Sequence, residues 1–378
     1  MVAELLATPL LAGTDALALD DAVRLFRAQI SPLRLHPGAA LAVYYDGCLV
    51  LDLADGWADS QRAEPVGAQT LFYLFSGTKP LVSIALLQQI ERGKAGLDDP
   101  VAVHWPAFAR NGKERVTLRH LLSHRGGFPT TPPDLPPARW ADEDAVREAV
   151  AAMPLESAAG TVSAYHFLTQ HWVCAELVRR LDGRPIQDYL REEITGPLGM
   201  TDTFLGLPAD EEHRLVKLHA TDGTDAWGVE TLRAVHGTTF HRLVVPGASG
   251  VATARDMARF YAAIAMGGAL DGVRILRRET VDLLLAVQVD GDIDRAFDVP
   301  IRRGLGFELG GQDIPKRQWA GATSTVQTFW HGGFGTSVFW GDPDLGLAFA
   351  FLTNGVRRDE AGAIARRDLS DAARAAAG

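Results

Sequence analysis

No apolar run in the 378 residues approaches the ~18 that a membrane-spanning helix needs, so no membrane segment is expected. Basic clusters are equally scarce. No run of Lys or Arg exceeds two residues and the formal charge is −10, which leaves no electrostatic footprint for nucleic acid. There are only two cysteines, Cys48 and Cys174, far apart and in no metal-ligand spacing. One disulfide is the arithmetic alternative, but two buried free thiols are expected. A G-x-S-x-G nucleophile elbow is missing, which argues against an α/β-hydrolase. Internal repeats and low-complexity segments are missing too. The opening M-V-A-E-L-L-A-T-P-L-L-A-G lacks a basic n-region, carries Glu4 and is broken by Pro9, so it makes a poor signal peptide. A cytoplasmic location is expected.

What is present is an ordinary globular composition, 47% hydrophobic and 22% charged, in a chain long enough for one large domain or two lobes around a cleft. From about Asp15 to Ile30, Leu17, Val23, Leu25, Phe26 and Ile30 fit one face of a helix. A-A-L-A-V-Y-Y and C-L-V-L-D-L-A follow, separated by Asp46-Gly47, a pair that favours the positive φ angles of a tight hairpin turn. L-F-Y-L-F then runs directly into a segment with Leu81, Ile84, Leu87 and Ile90 at helical spacing, where Pro80 is tolerable in a first turn. Residues 98–245 read as helices joined by Pro-rich loops such as T-P-P-D-L-P-P-A. After Pro246, G-L-G-F-E-L-G, T-F-W-H-G-G, T-S-V-F-W-G and G-L-A-F-A-F-L-T-N read as consecutive antiparallel strands, with Asp342-Pro343 marking a turn. Arg358 to Ala377 closes the chain as a helix. The fold class is α+β: an antiparallel sheet flanked by helices, built from residues 1–97 and 246–378, with a mainly helical inserted lobe over 98–245.

Ser76 and Lys79 stand at i and i+3 on the predicted helix, so their side chains share a face. A serine hydroxyl is a poor nucleophile until a base takes its proton, and a lysine can do so only when uncharged. Burial at an apolar helix start lowers a lysine pKa by desolvation, and the positive helix terminus acts in the same direction. Free N–H groups at that terminus suit an oxyanion. An isolated S-x-x-K is also produced by an N-cap serine followed by a surface lysine, so context must decide.

Six segments supply that context. They are F-S-G-T-K (Phe75–Lys79), T-L-R-H-L-L-S-H-R-G-G-F-P (Thr117–Pro129), A-G-T-V-S-A-Y (Ala159–Tyr165), G-P-L-G-M-T-D-T (Gly196–Thr203), A-S-G-V-A-T-A-R-D-M-A-R-F (Ala248–Phe260) and H-G-G-F-G-T-S (His331–Ser337). In this order, from about residue 38 to 355, the chain resembles the serine β-lactamase and penicillin-binding superfamily, in its class C-like branch. The nearest likeness is to family VIII carboxylesterases. The resemblance implies a β-lactamase-like fold, Ser76 as nucleophile, Lys79 as base and Tyr165 as proton relay. It also implies an oxyanion hole from the backbone N–H groups of Ser76 and Phe334. Gly332 and Gly333 would let their strand approach substrate closely, and His331 would border the leaving-group side.

One departure bears on substrate. The second motif, often Y-x-N in the superfamily, here reads Tyr165-His166-Phe167, and His331 stands where many relatives have lysine. Phe167 offers apolar surface where an asparagine would pair a substrate amide, a loss of roughly 1–3 kcal/mol. Esters of short to medium acyl chain are therefore the expected small-molecule substrates. Amide hydrolysis of the β-lactamase or DD-peptidase type and acyl transfer through the same acyl-enzyme are the alternatives. Neither cofactor nor metal is expected. His120 and His124 form H-x-x-x-H without a zinc-protease glutamate and read as packing. Asp290, Asp292 and Asp294 start like a calcium loop, but Arg295 and Ile301 occupy its sixth and twelfth positions, so a solvated acidic loop is expected. Gly304, Gly306 and Gly310 miss dinucleotide spacing and are expected within a strand. Trp140, Trp227, Phe240 and Trp330 fit either a pocket or the core.

Overall fold

The computed structural model describes residues 16–31, 33–59, 64–237, 239–311 and 318–377. The amino-terminal segment read against a signal peptide, and Asp15, lie outside them. The helix expected near the start spans Ala16–Ile30 and the closing one Glu360–Ala375. Between them lies an eight-stranded antiparallel sheet. Its order is Cys48–Gly56, Gly38–Tyr45, Leu347–Thr353, Ser337–Asp342, Phe329–Gly333, Glu308–Leu309, Val299–Arg303, Val289–Asp294. The Gly38–Tyr45 strand pairs with the last long strand, Leu41 opposite Phe351, so the sheet joins both ends of the chain. The Asp46-Gly47 turn has φ of 46° and 76°, as its sequence requires.

Alternation in L-A-F-A-F-L explains how both faces are covered. Phe349 and Phe351 join Leu41, Val43 and Trp340 against Phe26 and Leu369 of the two terminal helices. Ala348 and Ala350, with Ala40 and Ala42, face the other way and meet the helix Ala254–Ala265. Side chains this small let the helix lie close to the sheet. The second helix on that side, Lys79–Glu91, is buried on nearly every face, with Leu81, Val82, Ile84, Leu86 and Leu87 all inside. Among the described residues no helix is long and apolar enough to cross a membrane.

Three local readings need correction. Asp290, Asp292 and Asp294 lie on a strand, not in a solvated loop. Asp290 pairs with Arg302 at 3.0 Å, Asp292 with Arg125 at 2.8 Å, and the wholly buried Asp294 with Arg303 at 2.7 Å. D-G-D-I-D escaped notice because an edge strand carries charge where a central one carries Val or Ile. Gly304, Gly306 and Gly310 bracket the short Glu308–Leu309 strand and do not lie within it. Gly306, at φ 82°, leaves room for Ser83. Both cysteines are free, but Cys48 is exposed, because it is the first residue after the hairpin turn. Cys174 alone is buried.

Candidate active site

Ser76 sits on a short 3-10 turn, Phe75–Thr78, that leads into the Lys79–Glu91 helix. Three residues per turn place i and i+3 directly above one another, which aligns Ser76 with Lys79 more closely than an α-helix would. The turn is stitched to the strand Gly250–Ala252. Leu74 N–H donates to the Gly250 carbonyl at 2.9 Å, and the Thr78 hydroxyl donates to the Phe75 carbonyl at 2.7 Å while accepting Gly250 N–H at 3.0 Å. These ties hold Phe75 at φ 45°, a conformation that costs a bulky residue on the order of 1–3 kcal/mol. The strain falls on the residue immediately before Ser76.

Lys79 is completely buried. Its Nζ lies 3.1 Å from Ser76 Oγ, 2.9 Å from the Phe167 carbonyl and 2.7 Å from the Gly247 carbonyl. Carbonyls can only accept, so they take two N–H bonds. As an ammonium the group donates to all three partners; once neutral it keeps two N–H groups for the carbonyls and turns a lone pair to the Ser76 hydroxyl. Desolvation pushes the Lys79 pKa down to about 7, so the neutral form is well populated at ordinary pH.

Tyr165 packs beside this pair, with Lys79 Nζ 5.1 Å from its ring centroid. His331 Nδ1 donates to the Gly332 carbonyl at 2.9 Å, which orients the ring with Nε2 towards the Tyr165 hydroxyl, 3.5 Å away. Phe334 has φ of 36° and its ring lies 5.5 Å from that of Phe75. The expectation for Gly333 needs revision. A side chain there would overlap the Leu74 carbonyl, and one at Gly332 would overlap the Trp319 ring. Gly333 therefore seats the strand against the residue that precedes the Phe75–Thr78 turn, whereas Gly332 also lines the cleft beside Ser76.

Ser76 opens on two chambers that share Phe167, Trp227 and Phe334 as a common wall. In that wall Trp227 stands 5.4 Å from Phe167 and 5.0 Å from Phe334, nearly perpendicular to both. Arg358 lies over Trp227 at 4.4 Å and pairs with Asp225, the cap of the helix that carries Trp227. The smaller chamber, about 260 Å³, is lined by Tyr165, Phe297, Trp319, Trp330 and His331. The larger, about 450 Å³, is lined by Trp140, Leu168, Phe240 and Leu243. All four tryptophan and phenylalanine candidates thus reach the cleft. Residues that sequence reasoning did not single out include Phe297, Trp319, Arg358 and Gly247. Gly247 lies one residue before a motif that was noticed, but it acts through its carbonyl, which carries no side-chain signal.

Comparison with known proteins agrees over most of the chain. The family model described as Beta-lactamase matches residues 26–374. An Esterase/beta-lactamase, LipL of Mycobacterium tuberculosis, is 34% identical over 360 residues, covering 88% of this chain and 80% of that protein. A penicillin-binding protein homologue from Caulobacter crescentus superposes with a TM-score of 0.83 at 30% identity, covering 94% of this chain and 97% of its own. A family VIII carboxylesterase structure gives 0.83 at 26% identity, with coverage of 96% and 98%.

Proposed function

The chain belongs to the β-lactamase family of serine hydrolases, and on that footing we propose that it is a carboxylesterase acting through an acyl-enzyme on Ser76. The observation that carries the reading is the setting of Lys79: fully buried, anchored by the Phe167 and Gly247 carbonyls, and with Nζ 3.1 Å from Ser76 Oγ, so that once neutral it is placed to take the hydroxyl proton. Neutral Lys79 takes the Ser76 proton as Oγ attacks the ester carbonyl. The backbone N–H groups of Ser76 and Phe334 receive the oxyanion. As the tetrahedral intermediate collapses, Tyr165 passes a proton to the departing alkoxide and recovers one from Lys79. Water then attacks the acyl-enzyme, giving up its proton to the same relay, and Ser76 is regenerated as the acid leaves.

Tyr165 and His331 line the smaller chamber, so the leaving alcohol belongs there. The larger, apolar chamber then takes the acyl chain, which supports substrates of short to medium length. Phe167 favours esters over lactams. Its carbonyl serves Lys79, while its ring packs against Tyr165 at 5.5 Å and offers a substrate amide no partner. LipL is described as both esterase and β-lactamase, so the test must compare the two activities directly. A panel of p-nitrophenyl esters from acetate to decanoate, run beside nitrocefin, is expected to favour esters by several orders of magnitude in kcat/KM. Efficient nitrocefin turnover would restore the lactamase reading. Added alcohols separate hydrolysis from acyl transfer by product. In Phe167→Asn, nitrocefin turnover relative to ester turnover should rise, by up to roughly tenfold for one recovered hydrogen bond. Loss of the ring contacts with Tyr165, Trp227 and Phe297 limits that gain.

Tyr165→Phe keeps the ring and removes the relay. A fall in kcat of about 10²–10⁴ is expected, with little change in Tm. A rise confined to KM would make Tyr165 a binding residue.

A further inference from the structure

Tyr165 lies in a stretch, 162–166, with no helix or strand of its own to hold it. A proton relay misplaced by 1 Å loses on the order of 10²-fold in rate, so something else must fix it. His124, which the proposed reaction leaves unused, is in contact with it. It follows the short helix Leu118–Leu122, is buried, and has φ of 58°, a conformation that Asn, Asp and His adopt more readily than most residues. From there it contacts one short segment through both its backbone and its ring. Its carbonyl accepts the Ala164 N–H at 3.1 Å, and its Nδ1 accepts the His166 N–H at 3.0 Å. Its ring stacks on that of Tyr165 with centroids 4.6 Å apart and 29° between planes. The residues on both sides of Tyr165 are thus tied to His124, while its imidazole forms the floor beneath the phenol. An Nδ1 that accepts a backbone N–H carries no proton, so the imidazole is neutral. Burial, reinforced by Arg303, His166, His171 and Lys79, holds its pKa well below the ordinary histidine value, in keeping with that state.

We propose that His124 is a positioning residue that holds the Tyr165 hydroxyl in place, by clamping the backbone on either side of Tyr165 and stacking under its ring. The proposal rests on Tyr165 being the relay. It gives the second histidine of H-x-x-x-H a role beyond the packing expected of it.

Substitution can separate the two halves of the clamp. In His124→Asn, Oδ1 occupies the place of Nδ1 and the left-handed backbone is tolerated, so the acceptor survives and the stack is lost. His124→Phe keeps a ring and leaves the His166 N–H without its acceptor. His124→Ala removes both. With p-nitrophenyl esters, kcat is expected to fall by about 10²-fold in His124→Ala, with KM within threefold of wild type. The Asn variant should recover to within about tenfold of wild type. The deciding measurement repeats the series in a Tyr165→Phe background. A residue acting through the phenol hydroxyl has nothing left to position there, so the His124 substitutions should then cost less than twofold in kcat. An undiminished effect in that background, or an unchanged kcat in His124→Ala alone, overturns the proposal. Should the Ala variant fail to unfold cooperatively, the Asn and Phe variants carry the same comparison. Failure of the relay assignment itself reads differently: Tyr165→Phe alone would then leave kcat intact.

Discussion

Ser76→Ala is expected to abolish ester turnover, a loss on the order of 10⁶-fold in kcat, and to abolish labelling by a fluorophosphonate. Without Oγ no acyl-enzyme forms, and the oxyanion donors alone give only residual catalysis. The fold should persist, because the turn is held by Thr78, Leu74 and Gly250 rather than by the Ser76 hydroxyl. Intact-mass measurement after fluorophosphonate treatment, with circular dichroism as the folding control, decides it. A folded Ser76→Ala protein with normal esterase activity would end the proposal.

Lys79→Arg should cost about 10⁴-fold in kcat although it conserves charge. A guanidinium does not lose its proton in a protein, so it has no lone pair for the Ser76 hydroxyl. A variant keeping a tenth of wild-type kcat would reduce Lys79 to an electrostatic neighbour. On the proposed mechanism the same lysine is expected to set the pH profile. With its pKa held down to about 7, kcat/KM should rise about tenfold per pH unit below that value and level off above it. The sign for stability follows from the same shift. The unfolded chain, with an ordinary lysine pKa of 10.5, binds more protons than the folded chain between about 7 and 10.5. Lys79 therefore makes stability rise with pH across that window, and its cost is greatest below it. Thermal melts of wild type and Lys79→Met over pH 6–10 should show that rise disappear in the variant.

How much of this was legible depends on what each contact is made of. Ser76 and Lys79 are three residues apart, so their approach follows from local geometry, and the hairpin at Asp46-Gly47 follows from turn chemistry. Tyr165 became visible only through its family motif, since a lone tyrosine has no distinguishing pattern. The carbonyls of Phe167 and Gly247 were invisible because every residue has one; only the fold selects these two. The Val289–Asp294 strand was masked by charges whose partners, Arg302, Arg125 and Arg303, lie elsewhere in the sequence. His124 was seen as half of a metal-like spacing, whereas its contacts run to Ala164, Tyr165 and His166 some 40 residues on.

The two carbonyls that hold Lys79 come from segments 88 and 168 residues further along the chain. Loops of that length close late in folding, when non-local contacts form. Until both have arrived, water reaches the amine and restores it to an ammonium ion, which has no lone pair to offer. On the proposed mechanism a partly assembled chain would consequently be inert towards esters. On that mechanism, chemical competence would be a property of finished assembly, switched on by dehydration of a single nitrogen.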